Sequence, residues 1–237
     1  DVERSRGLGD VYKRQGYYEM SDTLALVRKD DTQTADFIRE KFAIPHQVVT
    51  IDESSVLIVD DRQRRWRLPL GDENYTKLIG QDVVRICREV ATERDLFNCH
   101  GTFYELPAEN ADGYAKIRPI ASHNFRINDY ASYRGMLVMT GIDPKKDKDN
   151  EHIIVSEDGK AAVWAGAIDD LWSMGKPTGK GGPWKNTLVK AGEVSDPYLI
   201  GFYDKKNLTL SHNSQKDVTF TIEVDPTGNG KWVKYAT

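Results

Sequence analysis

The sequence HIIVSEDGKAAVWA, residues 152–165, indicates a β-hairpin. Two short apolar runs, 152–155 and 161–165, lie on either side of the connection SEDGK. Its Asp158-Gly159 pair is a strong hairpin signal, because both residue types accept the positive φ angles of tight turns. The stretch therefore predicts two antiparallel strands joined by a short turn.

Similar short runs, separated by polar turns, recur along the chain and predict further strands. The run 218–224, VTFTIEV, alternates apolar and polar residues with the period of a half-buried strand. The last four runs are joined by DKKN, NSQKD and DPTGNG, so they predict a C-terminal meander. The runs cover residues 23–27, 47–51, 55–59, 65–68, 117–120, 136–141, 198–203, 208–212, 218–224 and 231–235.

Only one α-helix of several turns is predicted, at residues 35–42, with Thr34 as its N-cap and a stop before Pro45. The chain is therefore expected to be all-β, built of antiparallel four-stranded meanders. Such sets favour an incomplete β-propeller, in which a blade takes about 40 to 50 residues. No clear internal repeat is visible, and a β-sandwich is the alternative.

Residues 5–15, SRGLGDVYKRQ, resemble the translation of a transposase-type sequencing adapter at every position. We therefore expect residues 1–15 to be non-native, to make few packing contacts and to lie outside any sheet. Residues 16–237 are then expected to be a propeller fragment whose missing blades belong to a longer parent chain. A signal peptide of that parent would not be visible in this sequence.

Charge and hydropathy exclude some partners. The 237-residue chain has a formal net charge of −4, and residues 1–15 contain four of its basic and three of its acidic residues. An acidic chain lacks the basic footprint needed for nonspecific nucleic-acid binding. No apolar run reaches the roughly 18 residues of a membrane span.

Cys87 and Cys99 are the only cysteines. If 83–91 and 96–106 are the two arms of a hairpin, the cysteines face each other, although directly opposed residues have poor geometry for a disulfide. Reduced, buried cysteines are the favoured interpretation. The Cys99-His100 pair lacks further spaced ligands, so no metal is predicted, and no cofactor is predicted either.

Three polar stretches compete as binding regions: 99–107, 121–142 and 167–186. The second is a polar, aromatic loop that leads into an apolar strand, which is how a rigid sheet often presents a site, although its charges could equally pair with one another. The candidate ligand-binding residues in the three stretches are His100, His123, Arg126, Arg134, Trp184 and Lys185.

Paired carboxylates are the usual equipment of glycosidases. The candidates are Glu105, Asp129, Asp169 and Asp170. Asp170 could instead cap a short helix at 171–174. The glycine-rich run 175–186 lacks the Gly-Lys-Ser/Thr ending of a phosphate loop. Trp184 could stack on a sugar or cover a seam between blades.

The strings HGTFYELP, RINDYASYRGMLVMTG, DDLWSMGKPTGKGGPWKN and SDPYL resemble a group of large uncharacterised bacterial proteins. The resemblance covers roughly residues 83–237. It implies a secreted β-propeller of glycan-degradation type, extracellular or periplasmic. We expect a glycan or other small molecule as the ligand. It carries no residue roles.

Two functions follow as expectations: a glycoside hydrolase-like enzyme, or a noncatalytic propeller that binds carbohydrate or protein. A pair of carboxyl groups about 5 to 9.5 Å apart across a pocket would favour hydrolysis. Open aromatic surfaces without such a pair would favour binding. In either case we expect His100, Arg126 or Arg134, and Asp169 or Asp170 to approach one another on one face.

Overall fold

The computed structural model describes residues 17–41, 49–60, 62–72, 85–88, 95–106, 113–125, 127, 130–146 and 149–237. Within these ranges the chain is an all-β protein, as the sequence predicts. Its strands form several small antiparallel sheets, and none of the sheets closes on itself in the described part. Residues 1–15 fall outside these ranges, so their expected lack of packing stays a prediction.

The strands are three to five residues long. In chain order they are β1 (Tyr17–Met20), β2 (Leu26–Lys29), β3 (Val49–Ile51), β4 (Val56–Val59), β5 (Arg65–Leu68), β6 (Arg85–Arg88), β7 (Asp95–Cys99), β8 (Thr102–Glu105), β9 (Arg118–Ser122), β10 (Tyr130–Tyr133), β11 (Met136–Met139), β12 (Ile153–Val155), β13 (Ala162–Gly166), β14 (Ile222–Val224) and β15 (Val233–Ala236).

Three sheets form the body of the fold. The first sheet has the order β3-β4-β5, the middle sheet β6-β7-β8-β9 and the third sheet β10-β11-β13-β12, while β1–β2 and β14–β15 are separate hairpins. The hairpin expected at SEDGK is confirmed as β12–β13, with the Ser156 amide donating to the Ala161 carbonyl at 2.9 Å.

The middle sheet is buried on both faces. On one side Leu96 and Phe103 join a core cluster with Leu137 of the third sheet. On the other side Phe97 and Tyr104 join a second cluster, shared with the strands of the first sheet. Since neighbouring residues along a strand point to opposite faces, β7 and β8 serve both clusters at once. The sheets therefore stack face to face.

Helix α1 spans Thr32–Lys41, three residues earlier than expected at its start. The expected cap, Thr34, is wrong: Asp31 accepts hydrogen bonds from the Thr34 amide at 2.9 Å and from its hydroxyl at 2.7 Å. An aspartate before the first turn satisfies a free backbone donor, and its charge favours the positive end of the helix.

The C-terminal four-stranded meander is not observed. Residues 198–203 and 208–212 form no strand, and only 222–224 and 233–236 pair, as β14–β15. Leu208 and Leu210 in this region are exposed. Alternation gives a stable sheet only when one face is buried against other elements, and that condition is not met in the described structure.

The expected hairpin of residues 83–91 and 96–106 is observed as the β6–β7 pair, but its register differs from the expected one and its second arm ends at Cys99. Residues 96–106 contain two strands, β7 and β8, which turn at His100-Gly101. Cys87 is therefore opposite Leu96, and Cys99 is opposite Thr102. Cys99 is a buried free thiol, which agrees with the expectation of reduced, buried cysteines. Burial raises its pKa to about 12.

Candidate functional site

Separate parts of the chain meet at one end of the middle sheet, beside the β7–β8 turn. His100 and Gly101 form this turn with φ angles of 50° and 79°, which two-residue hairpin turns of the primed type require. The His123 amide, just after β9, donates to the Gly101 carbonyl at 2.8 Å. A side chain at Gly101 would lie 3.0 Å from the His123 oxygen and 3.1 Å from the Asp72 Cβ, so glycine permits the close approach.

His100 is almost fully buried, with 1% of its surface exposed. Its Nδ1 accepts a hydrogen bond from the Gly71 amide at 3.0 Å, so the neutral ring carries its proton on Nε2. Burial lowers the pKa of His100 below its usual value, while the Asp72 charge raises it and the Lys180 charge lowers it. The ring is therefore neutral at neutral pH.

His123 lies beneath the same surface, with 7% exposed. Its Nε2 is 2.9 Å from the amide oxygen of Asn98, and its ring packs against Phe103 and Phe125. Burial lowers the pKa of His123 to about 4, although the nearby Asp72 charge acts in the opposite direction. We call His100, His123, Asn98 and Asp72 the histidine cluster.

An extended segment, residues 175–199, crosses this end of the fold, and we call it the C-terminal strap. The Ser122 amide donates to the Gly175 carbonyl at 3.2 Å, and the Ser122 hydroxyl accepts from the Thr178 amide at 2.9 Å. Lys180 pairs with Leu70 in an isolated antiparallel bridge. These bonds place Lys180, which is exposed, beside the histidine cluster.

The strap is anchored at its far end by a buried arginine. Arg67 donates from Nη1 to Asp52 at 2.9 Å and to Ser55 at 3.0 Å, and from Nε to Asp196 at 3.0 Å. The exposed Arg65 adds two bonds to Asp196, which lower the pKa of that carboxyl together with Arg67. This network fixes the C-terminal strap on β5. Its arginine and aspartate side chains are paired with one another, so we assign them a structural role.

Arg134 and Asp170 each make contacts of their own. Arg134 occupies the β10–β11 turn and pairs with Asp22. Asp170 lies inside a 3₁₀ helix, Ile168–Ser173, where its carboxylate accepts from the Ala167 amide at 2.7 Å. The expected N-cap role of Asp170 is wrong: the helix begins at Ile168, Ala167 is its N-cap, and Asp170 reaches back from the third helical position to the cap amide. Asp169 is exposed on the same turn.

Glu105 lies at the opposite end of β8 from the His100-Gly101 turn, about 10 Å along the strand from Thr102 at about 3.3 Å per residue. Trp184 is half-buried and Lys185 exposed, both on the C-terminal strap. Arg126 and Asp129 lie outside the described residues. The expected approach of His100, Arg126 or Arg134, and Asp169 or Asp170 on one face stays a prediction.

Sequence reasoning missed Asp72, Asn98 and Lys180 as members of this region. Asp72 follows β5 with no motif, and Asn98 looks like an ordinary strand residue. The available signal was a polar residue in an otherwise apolar strand: Asn98 is 1% exposed, and a buried amide needs a partner.

The side chains of the histidine cluster can hydrogen-bond a ligand and orient it. At neutral pH the two histidine rings are neutral, and the negative charge of Asp72 is balanced by the positive charge of the nearby Lys180. No group of three or more metal-ligating side chains is found among the described residues. In the same part of the chain, no helix has the length and apolar character needed to cross a membrane.

Comparison of the chain with protein-family models, with curated proteins and with solved structures gives no significant match.

Proposed function

We propose that the chain is part of a carbohydrate-binding β-propeller, whose ligand lies over the histidine cluster. The stack of face-to-face sheets supports the propeller, because propeller blades pack in this way around their axis. Hairpin β1–β2 extends the stack: Tyr18 and Leu26 pack against Val138 and Val163 of the third sheet. An extracellular or periplasmic setting in a longer parent belongs to the same proposal.

The convergence at the β7–β8 turn is the observation that carries the binding site. The end of β5, the turn itself, the end of β9 and the C-terminal strap meet there through backbone hydrogen bonds. Such a rigid framework holds polar groups in fixed positions, which reduces the entropy lost when a ligand binds. His100 and His123 are buried, so they position the surface, and the ligand would contact Asp72, Phe125 and Lys180 above them.

The charge balance favours an uncharged, hydroxyl-rich ligand. The two histidines are neutral, and the charges of Asp72 and Lys180 cancel, so the region offers hydrogen-bond donors and acceptors without net charge. A phosphate-binding site would instead carry a net positive charge. A half-buried aromatic ring, Phe125, lies beside them. Aromatic surface with a few placed polar groups is typical of small-molecule sites.

Binding is favoured over hydrolysis by the places of the carboxylates. Hydrolysis needs two carboxyl groups facing one sugar bond. The carboxylate of Asp170 is engaged at the start of its helix, and Glu105 lies at the opposite end of β8 from the His100-Gly101 turn. Protein binding, the other noncatalytic function, is a less good match to a cluster whose histidines are buried and whose charges are balanced by Lys180.

The test is calorimetric titration of the full chain with cellohexaose, xylohexaose and chitohexaose. We expect one of them to bind, and Asp72→Asn and Lys180→Met each to weaken it about tenfold, the loss of one or two hydrogen bonds to a charged group. Lys190→Met, an exposed lysine on the same strap, is the matched control and should bind like the wild type. Unchanged affinity in both cluster variants would refute the site, and release of new reducing ends would show hydrolysis instead.

A further inference from the structure

A second surface lies at the other end of β8 and β9, around Phe202. Phe202 has a φ of 66°, in the left-handed region, and its side chain is exposed by 60%. A bulky residue rarely adopts this conformation, and an exposed ring gains little from burial. The adjacent Gly201 could adopt a positive φ without strain, yet its own φ lies outside that region. The ring is thus presented to solvent at an energetic cost.

The backbone around Phe202 is firmly held. The Arg67 amide donates to the Pro197 carbonyl at 2.7 Å, and the Leu199 amide donates to the Arg67 carbonyl at 2.9 Å. Leu199 packs against the cluster between the first and middle sheets, and the Tyr203 hydroxyl is buried. The backbone that carries Phe202 is therefore held on both sides, by Leu199 and by Tyr203, as a preorganised contact surface requires.

Arg118 supplies the second part of this surface. Its guanidinium carbon is 5.2 Å from the centroid of the Phe202 ring, which is cation–π distance. Arg118 is directly opposite Glu105 in the β8–β9 register, where an ion pair would be expected. No such ion pair forms in the described structure, and Arg118 stacks on the ring instead. Donor, acceptor and aromatic face thus lie side by side.

We propose that Phe202, Arg118 and Glu105 form a second carbohydrate-binding surface, which takes one uncharged pyranose unit. The apolar face of the sugar would lie on the exposed ring, and its hydroxyls would bond to the carboxylate and the guanidinium, which are strong acceptors and donors. The two charges cancel, so a neutral sugar fits better than an acidic one. The ligand class rests on the proposed function, but the position is independent of it.

Two variants separate this role from a structural one. Phe202→Gly removes the ring and relieves the left-handed strain, so we expect an unchanged or higher melting temperature. The affinity of the second surface should fall about threefold to tenfold, the effect of losing one aromatic contact. Leu24→Gly, at a φ of 64°, is the control for strain, and Phe37→Ala is the control for an exposed ring. Neither control should change sugar affinity.

The titrations use cellohexaose, xylohexaose and chitohexaose, with trigalacturonate as the acidic probe, and include Asp72→Asn to weaken the first site. Binding that remains in Asp72→Asn and weakens about threefold to tenfold when Phe202→Gly is added supports the second surface. Binding that weakens in Asp72→Asn and is unaffected by Phe202→Gly overturns the second surface and leaves the first. Binding that weakens in Phe202→Gly but not in Asp72→Asn supports the second surface and overturns the first. A lower melting temperature with unchanged affinity, a preference for the acidic probe, or no binding at all also overturns the inference.

Discussion

Protonation of His123 should destabilise the fold, because its buried ring is held as a neutral group beside Asn98. Burial lowers the pKa of this histidine from 6.5 to about 4. The unfolded chain therefore binds the proton more tightly than the folded chain. The stability that His123 contributes is complete above about pH 6.5 and is lost as the pH falls toward about 4.

The size of the effect follows from the two pKa values. Between about pH 7.5 and about pH 4.5 the linkage amounts to about 2.5 kcal/mol for this residue. Carboxyl groups with a lowered pKa, such as those of Asp52 and Asp196, lose their contribution only below about pH 4, so they leave this interval largely undisturbed. The pKa of His100 is also lowered by burial. Because His100 is present in every variant, its effect cancels when the variants are compared.

The assay is urea unfolding of the wild type and His123→Gln across this interval. We expect the wild type to lose about 2.5 kcal/mol more than His123→Gln. His212→Gln, at an exposed histidine, should follow the wild type. If His123→Gln lost as much stability as the wild type, the folded ring would take up its proton freely, and the argument from burial would be wrong.

Four further substitutions test the packing. Tyr104→Phe should leave the free energy of unfolding unchanged or raise it by up to about 1 kcal/mol, since the buried hydroxyl has no hydrogen bond of good geometry; a clear loss in urea unfolding would contradict this. Arg67→Met should lower the free energy of unfolding by about 2–3 kcal/mol and Arg65→Met by less than about 1 kcal/mol. The reason is that the Arg67 side chain is 10% exposed and the Arg65 side chain 47% exposed. Equal losses in the two variants would contradict this argument. Ser122→Ala should cost about 1–2 kcal/mol and speed hydrogen exchange at the Thr178 amide, which would stay protected if the strap did not depend on this hydroxyl.

The all-β class and several strands were predictable because their signals are local. Strand β5 has the predicted bounds, 65–68, and the Asp158-Gly159 turn lies where its chemistry placed it. The β7–β8 turn was missed because histidine, unlike asparagine or aspartate, rarely takes the first left-handed position of a two-residue turn. The two cysteines were misplaced relative to each other for a different reason: β6 and β7 pair in a register that puts Cys87 opposite Leu96 rather than Cys99.

The candidate site was less predictable than the strands. Sequence placed His100 and His123 in separate polar stretches, and hydrogen bonds between β9 and the β7–β8 turn bring those stretches together. Asp72 joins them through the packing of the first sheet on the middle sheet, a long-range contact that no local pattern encodes. Asp170 could be understood locally, because its partner is only three residues away.

The C-terminal strap has a consequence for how the chain acquires its fold. Its bonds reach across the sequence: Ser55 to Gly182 spans 127 residues, and Arg65 to Asp196 spans 131. Contacts of such separation form slowly, since the intervening chain must first be ordered. During synthesis the sheets emerge from the ribosome before the strap and can assemble first. The strap then packs on a preformed surface, so the site it completes is expected to mature after the three sheets that support it.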